Sequence, residues 1–141
     1  MDAPDTARQL LEQADSLAAT AHRDTRWYAR WLVLFGLLSL LTCALFAAFP
    51  GAPAVVLGMS VYGVGVAALV VWASRRGAAT RYMTRLHLAV MAGFAVIWTA
   101  TMVLGTRSDD PAVVFLTGGG LILLLTVAGA WVVTRRGGRR P

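Results

Sequence analysis

Two pairs of arginines are the side chains in this sequence best spaced to do chemistry. Arg26 and Arg30, and Arg81 and Arg85, each stand four residues apart, so on a helix each pair shares one face. Two guanidinium groups so placed can clamp an anionic lipid headgroup at a membrane surface, where each basic residue contributes about 1 kcal/mol. The plainer reading of the same residues is that they only fix which way the chain sits in a membrane.

The remaining reactive residue types are isolated. Cys43 is alone, which excludes an intramolecular disulfide, and it reads as a small apolar packing residue. His87 lies two residues after Arg85 and reads as a histidine at a wet helix end. Asp109 and Asp110 directly precede Pro111, the pattern of a helix start with Asp as N-cap and Pro in the first turn. Gly118-Gly119-Gly120 follows no strand and reads as a small-residue packing face or a flexible point, not a phosphate loop. No histidine pair has metal-ligand spacing and no carboxylate pair stands near the membrane on the cytoplasmic side. The expectation is therefore a protein that is not an enzyme, with no metal and no cofactor.

The elements that carry these residues follow from where charge is absent. Only 14% of the 141 residues are charged and 57% are hydrophobic, against roughly a quarter charged in an ordinary soluble domain. No Asp, Glu, Lys or Arg occurs in 31–74, 86–106 or 111–134. A bilayer core about 30 Å thick takes about 20 residues of helix, so the second and third stretches fit one span each. The first is twice too long, and Pro50-Gly51-Ala52-Pro53 at its middle divides it into a helical hairpin. The spans are predicted at about 31–49, 53–73, 86–105 and 111–133. They are continuously apolar, not alternating, which selects helices over a barrel.

The fold class is thus all-α: a polytopic four-helix transmembrane bundle (31–134), an N-terminal cytoplasmic amphipathic helix (1–30) and a basic cytoplasmic tail (135–141). All thirteen basic residues are Arg, and twelve of them flank the spans on one side. The other side has only Arg107, with Asp109 and Asp110. The positive-inside rule then places both termini in the cytoplasm, in a bacterial inner membrane. Trp31, Trp72 and Trp131 lie at the arginine-rich ends, where indole rings favour the headgroup level, while Trp98 lies deeper and reads as packing. A cleaved signal peptide ending near Ala52-Pro53-Ala54 is the weaker alternative, because the apolar run is long and five acids precede it.

Leu10, Ala14, Leu17, Ala21, Asp24 and Tyr28 fall at alternating spacings of four and three. This seam fits either a surface helix or a coiled coil that dimerises or binds a protein partner. Further on, Thr25-Arg26-Trp27-Tyr28-Ala29-Arg30 resembles Thr80-Arg81-Tyr82-Met83-Thr84-Arg85, and Ser74-Arg75-Arg76-Gly77 resembles Thr134-Arg135-Arg136-Gly137. The two hairpins therefore read as parallel repeats about an axis along the membrane normal, unless topology alone put the arginines there. Small residues such as Gly36, Gly58, Gly65 and Gly93 offer faces for close helix approach.

The stretch Arg23-Asp-Thr-Arg-Trp-Tyr-Ala-Arg-Trp31, leading from a basic helix into four spans, resembles small uncharacterised four-helix integral membrane proteins of actinobacterial type. That resemblance implies no catalytic residue. Small multidrug exporters are similar in size and span number, but they depend on a glutamate within the first membrane helix, and no Glu follows Glu12 here.

The function expected from sequence is that of a non-enzymatic inner-membrane protein acting through protein partners or lipids. The partners are anionic headgroups on the cytoplasmic side, and a second copy or another protein at the N-terminal helix. The alternative is a small permease, or an accessory subunit of a transporter, for an apolar or lipid-like molecule. Nucleic acid is not an expected partner, because the net charge of +6 is spread over membrane-flanking segments.

Overall fold

The computed structural model of the chain describes residues 3–49, 51–75 and 81–137. It consists of four helices, α1 (Ala3–Ala48), α2 (Ala52–Ser74), α3 (Arg81–Gly105) and α4 (Pro111–Gly137), with no strand among the described residues. Each contains a segment long and apolar enough to cross a membrane: Arg26–Ala48, Val55–Ser74, Arg85–Gly105 and Pro111–Arg135.

The first helix is unbroken over 46 residues. Its sequence has no glycine before Gly36 and its one proline, Pro4, lies in the first turn where no donor is needed. At 1.5 Å per residue it is about 69 Å long, more than twice a bilayer core. The stretch before Arg26 and the apolar segment Arg26–Ala48 are thus one continuous helix. The heptad positions Leu10, Ala14, Leu17, Ala21 and Asp24 lie outside the residues whose side chains are described, whereas Tyr28 is buried in the bundle.

Both connections at the far end from the arginines are tight. Gly51 has φ +92°, the one positive φ among the described residues, and Pro53 stands in the first turn of α2. A left-handed residue reverses the chain there without a Cβ clash. In the second connection, the Asp110 carboxylate accepts the Val113 N–H at 3.4 Å and the Ser108 hydroxyl accepts the Asp110 N–H at 3.2 Å. Asp110 caps α4 as its sequence position predicts.

The helix neighbours are α1 with α4, α1 with α2, and α3 with α4; the α2 and α3 backbones do not meet. Glycine sets the close contacts. A Cβ on Gly36 of α1 would strike Thr126 of α4, and a Cβ on Gly65 of α2 would lie 2.6 Å from the Leu38 side chain of α1. Successive residues of α4 point in directions about 100° apart. Gly118 accordingly abuts Thr101 of α3, Gly119 abuts Leu40 and Cys43 of α1, and Gly120 faces open space. The glycine triplet serves two helix contacts at once, which is the packing role its composition indicates.

Four hydroxyls are buried at these contacts, on Ser39, Thr42, Thr101 and Thr126. Each donates to a carbonyl of its own helix at 2.7 to 2.9 Å: Phe35, Leu38, Ile97 and Leu123 respectively. The donor demand of each hydroxyl is met within its own helix, and Ser39 also makes a side-chain hydrogen bond with Tyr62 of α2.

The two hairpins do not pack as equivalent copies. A two-fold relation would pair α2 with α3 as it pairs α4 with α1, yet the α1–α4 interface is the most extensive and α2–α3 has no backbone contact. The asymmetry follows from side-chain size: glycines stand between α1 and α4, whereas large rings stand between α2 and α3.

Candidate functional site

The space between α2 and α3 is filled by a column of aromatic rings that begins at the arginine-rich end. Tyr28, Trp31 and Phe35 occur at spacings of three and four, so α1 presents them on one face. Tyr28 and Trp31 stack at a centroid separation of 6.1 Å, and Trp31 and Phe35 at 5.5 Å. Phe35 meets Phe94 of α3 at 4.9 Å, Phe94 meets Trp98 at 5.6 Å, and Trp98 stacks on Tyr62 of α2 at 5.1 Å. At its arginine end the column extends through Trp27 to Trp72 of α2, edge to face. Contacts of this kind are worth about 0.5–1.5 kcal/mol each beyond area burial.

Hydrogen bonds also tie the column to its neighbours. The Trp31 indole N–H donates to the Leu69 carbonyl of α2 at 3.3 Å, and the Tyr28 hydroxyl lies 3.2 Å from His87 Nδ1 of α3. His87 also sits 5.4 Å from the Trp31 ring. These contacts correct two expectations. His87 is not a wet-end histidine but a half-buried link between α1 and α3, and Trp31 is a buried ring, 8% exposed, not a headgroup anchor. Only Trp131, at 54% exposure, has the setting expected of an interfacial indole. The aromatic spacing on α1 is the signal that places Trp31 inside, and it outweighs proximity to the arginines.

Toward the opposite end the column gives way to a cavity of about 510 Å³ between the two hairpins. Phe46, Phe49, Met59, Met102 and Phe115 form its walls, and Thr106 and Asp110 stand at its rim. Beneath it, Cys43, Phe46 and Phe115 form a second core cluster against which Trp98 and Met102 pack. The volume lies within the range of small-molecule sites, and the thioether and aromatic lining is adaptable.

At the arginine end, Arg26, Arg30 and Arg85 are exposed, while the side chain of Arg81 lies outside the described residues. Arg30 borders a groove of about 530 Å³ along the α1–α4 seam, walled by Val33, Leu34, Val127, Ala130 and Trp131. The Arg135 guanidinium lies 3.7 Å over the Trp131 ring, a cation–π contact. Arg135, not Arg85, is thus the arginine placed beside the groove that Arg30 borders.

No protein-family model, curated protein or solved structure matches this chain. Its function must be argued from the arrangement itself. Among the described residues no three His, Cys, Asp or Glu side chains converge, and the charged side chains flank the apolar segments: Arg26 and Arg30 midway along α1, Arg75, Arg85 and Arg135 near helix ends, and Arg107, Asp109 and Asp110 in the α3–α4 connection. The described residues offer apolar surfaces, packed rings and arginines gathered toward one end of the bundle.

Proposed function

We propose that this chain is a non-enzymatic integral membrane protein of the bacterial inner membrane, with both termini cytoplasmic, that works through anionic lipids and protein partners. The observation that carries this reading is the pairing of outward apolar faces with exposed arginines at one end of the bundle. Val56, Val64, Leu88, Val96 and Leu124 are each more than 60% exposed, a burden that water does not tolerate and lipid does. Arg26, Arg30, Arg75, Arg85 and Arg135 are exposed at the end toward which twelve of the thirteen arginines lie, as cytoplasmic segments require. The long rod of α1 supplies a further surface for a second copy or another protein. Purification in mild detergent is expected to yield an oligomer or a complex, and a clean monomer without bound lipid would overturn this role.

The cavity between the hairpins favours a second reading, that of a small permease or accessory subunit that takes up an apolar or lipid-like molecule. Substituting Ala112→Trp at the cavity wall fills it from a residue that is itself half-buried. If the cavity is used, this variant loses the protection that 1-dodecanol gives against thermal unfolding, and Ala92→Trp on an exposed α3 position keeps it. Equal protection of both variants would remove this reading.

A further inference from the structure

We infer that the groove between α1 and α4 at the arginine end is a site for one anionic phospholipid, with Arg30 and Arg135 holding its phosphate. This deepens the lipid reading above and rests on it. The groove has the two chemistries such a molecule needs, in the right order. Its floor is apolar, formed by Val33 and Leu34 of α1 and Val127 and Ala130 of α4. From Val127 to Trp131, or Arg30 to Leu34, is about one helical turn of 5.4 Å. That length seats the glycerol region and the upper part of one acyl chain, and the rest of the chain continues along exposed Leu124.

Its mouth is basic from both walls. Arg30 is part of the groove lining, and Arg135 is held against the Trp131 ring that forms the opposite wall. Among the described residues no acidic side chain lines the groove. A guanidinium resting on a ring, as Arg135 does, loses less side-chain freedom on binding, and the planar fork of either arginine matches the oxygens of a phosphate. Thr134, also at the mouth, spends its hydroxyl on the Trp131 carbonyl at 2.9 Å, which leaves the arginines as the recognising groups. Charge complementarity therefore names the occupant as an anionic lipid of the leaflet on the arginine side. A zwitterionic lipid fills the same groove but brings an ammonium group toward two arginines.

Native mass spectrometry of the full chain in mild detergent tests this, with phosphatidylglycerol and phosphatidylcholine of identical acyl chains added in equal amounts. The unsubstituted protein is expected to retain the anionic lipid about tenfold over the other. The double variant Arg30→Gln, Arg135→Gln should bring the ratio near one, and the double lysine variant at the same positions should restore part of it. Val127→Trp should reduce retention with both arginines intact, because it obstructs the groove. Arg107→Gln, exposed at the opposite end of the bundle, should leave the ratio unchanged. A preference that survives the Gln pair, or that falls equally in the Arg107 control, overturns the site. Loss of the lipid to millimolar inorganic phosphate overturns it as well, since the arginines then recognise phosphate alone. Alkaline carbonate extraction of membranes separates the two levels of failure: a chain that is released refutes membrane insertion, while one that stays but shows no lipid preference refutes only this groove.

Discussion

The Tyr28 hydroxyl stands 3.2 Å from Nδ1 of His87, joining the first and third helices at a level where their backbones do not touch. It is the polar member of a junction otherwise made of edge-on and tilted ring contacts. Removing the hydroxyl by Tyr28→Phe should lower stability in detergent by about 0.5–1 kcal/mol, the range of hydrogen bonds between membrane helices. His87→Ala should cost more, because the ring contacts to Tyr28 and Trp31 go with it. A double-mutant cycle read by denaturant titration should return a coupling of about 0.6 kcal/mol; additive effects would show that the contact contributes nothing.

Glycine substitutions should separate by position along the same helices. Gly36→Ala and Gly118→Ala place a methyl group against Thr126 and Thr101 respectively and should destabilise by about 1–3 kcal/mol, as overpacking does. Gly63 and Gly120 have nothing within 4 Å of an added Cβ, so alanine there should leave the melting temperature unchanged or raise it. Thermal unfolding of the four variants is the measurement, and a uniform effect would contradict the helix pairing.

Cys43 is fully buried between α1 and the Gly119 face of α4. Incubation of the folded protein with N-ethylmaleimide should leave it unmodified over an hour, and the same reagent in hot SDS should alkylate it to completion. Rapid labelling of the folded form, followed by mass, would mean that the α1–α4 interface opens readily.

Orientation is open to direct measurement. A reporter active only in the cytoplasm should be active when fused after Pro141, and one active only outside should be active when inserted near Ser108. The reverse pattern would overturn the orientation drawn from the arginines.

Helix number and the two turns were legible because they depend on local chemistry. Charge-free stretches define the spans, Pro53 and Gly51 define the reversal, and Asp110 with Pro111 defines the start of α4. Partner choice was not legible, since hydropathy makes every apolar face alike and only the fit of Gly36 to Thr126 or of Phe35 to Phe94 distinguishes neighbours. The same limit explains the candidate site. The pairs Arg26 with Arg30 and Arg81 with Arg85 are visible as local spacing, but that Arg30 shares a groove with a wall carrying Arg135 depends on α4 returning beside α1. His87 and Trp31 were misread for the same reason: closeness to arginine in the chain says little about which ring packs behind them.

The dominance of the α1–α4 contact also bears on how the protein is made. α1 has its most extensive contact with α4, which is made after α2 and α3. Until α4 has been made, Gly36 of α1 and the buried hydroxyls beside it lack the neighbour against which they pack. Closure is a late event in biogenesis, and a chain truncated before Pro111 should be a substrate for membrane proteolysis rather than a smaller folded unit.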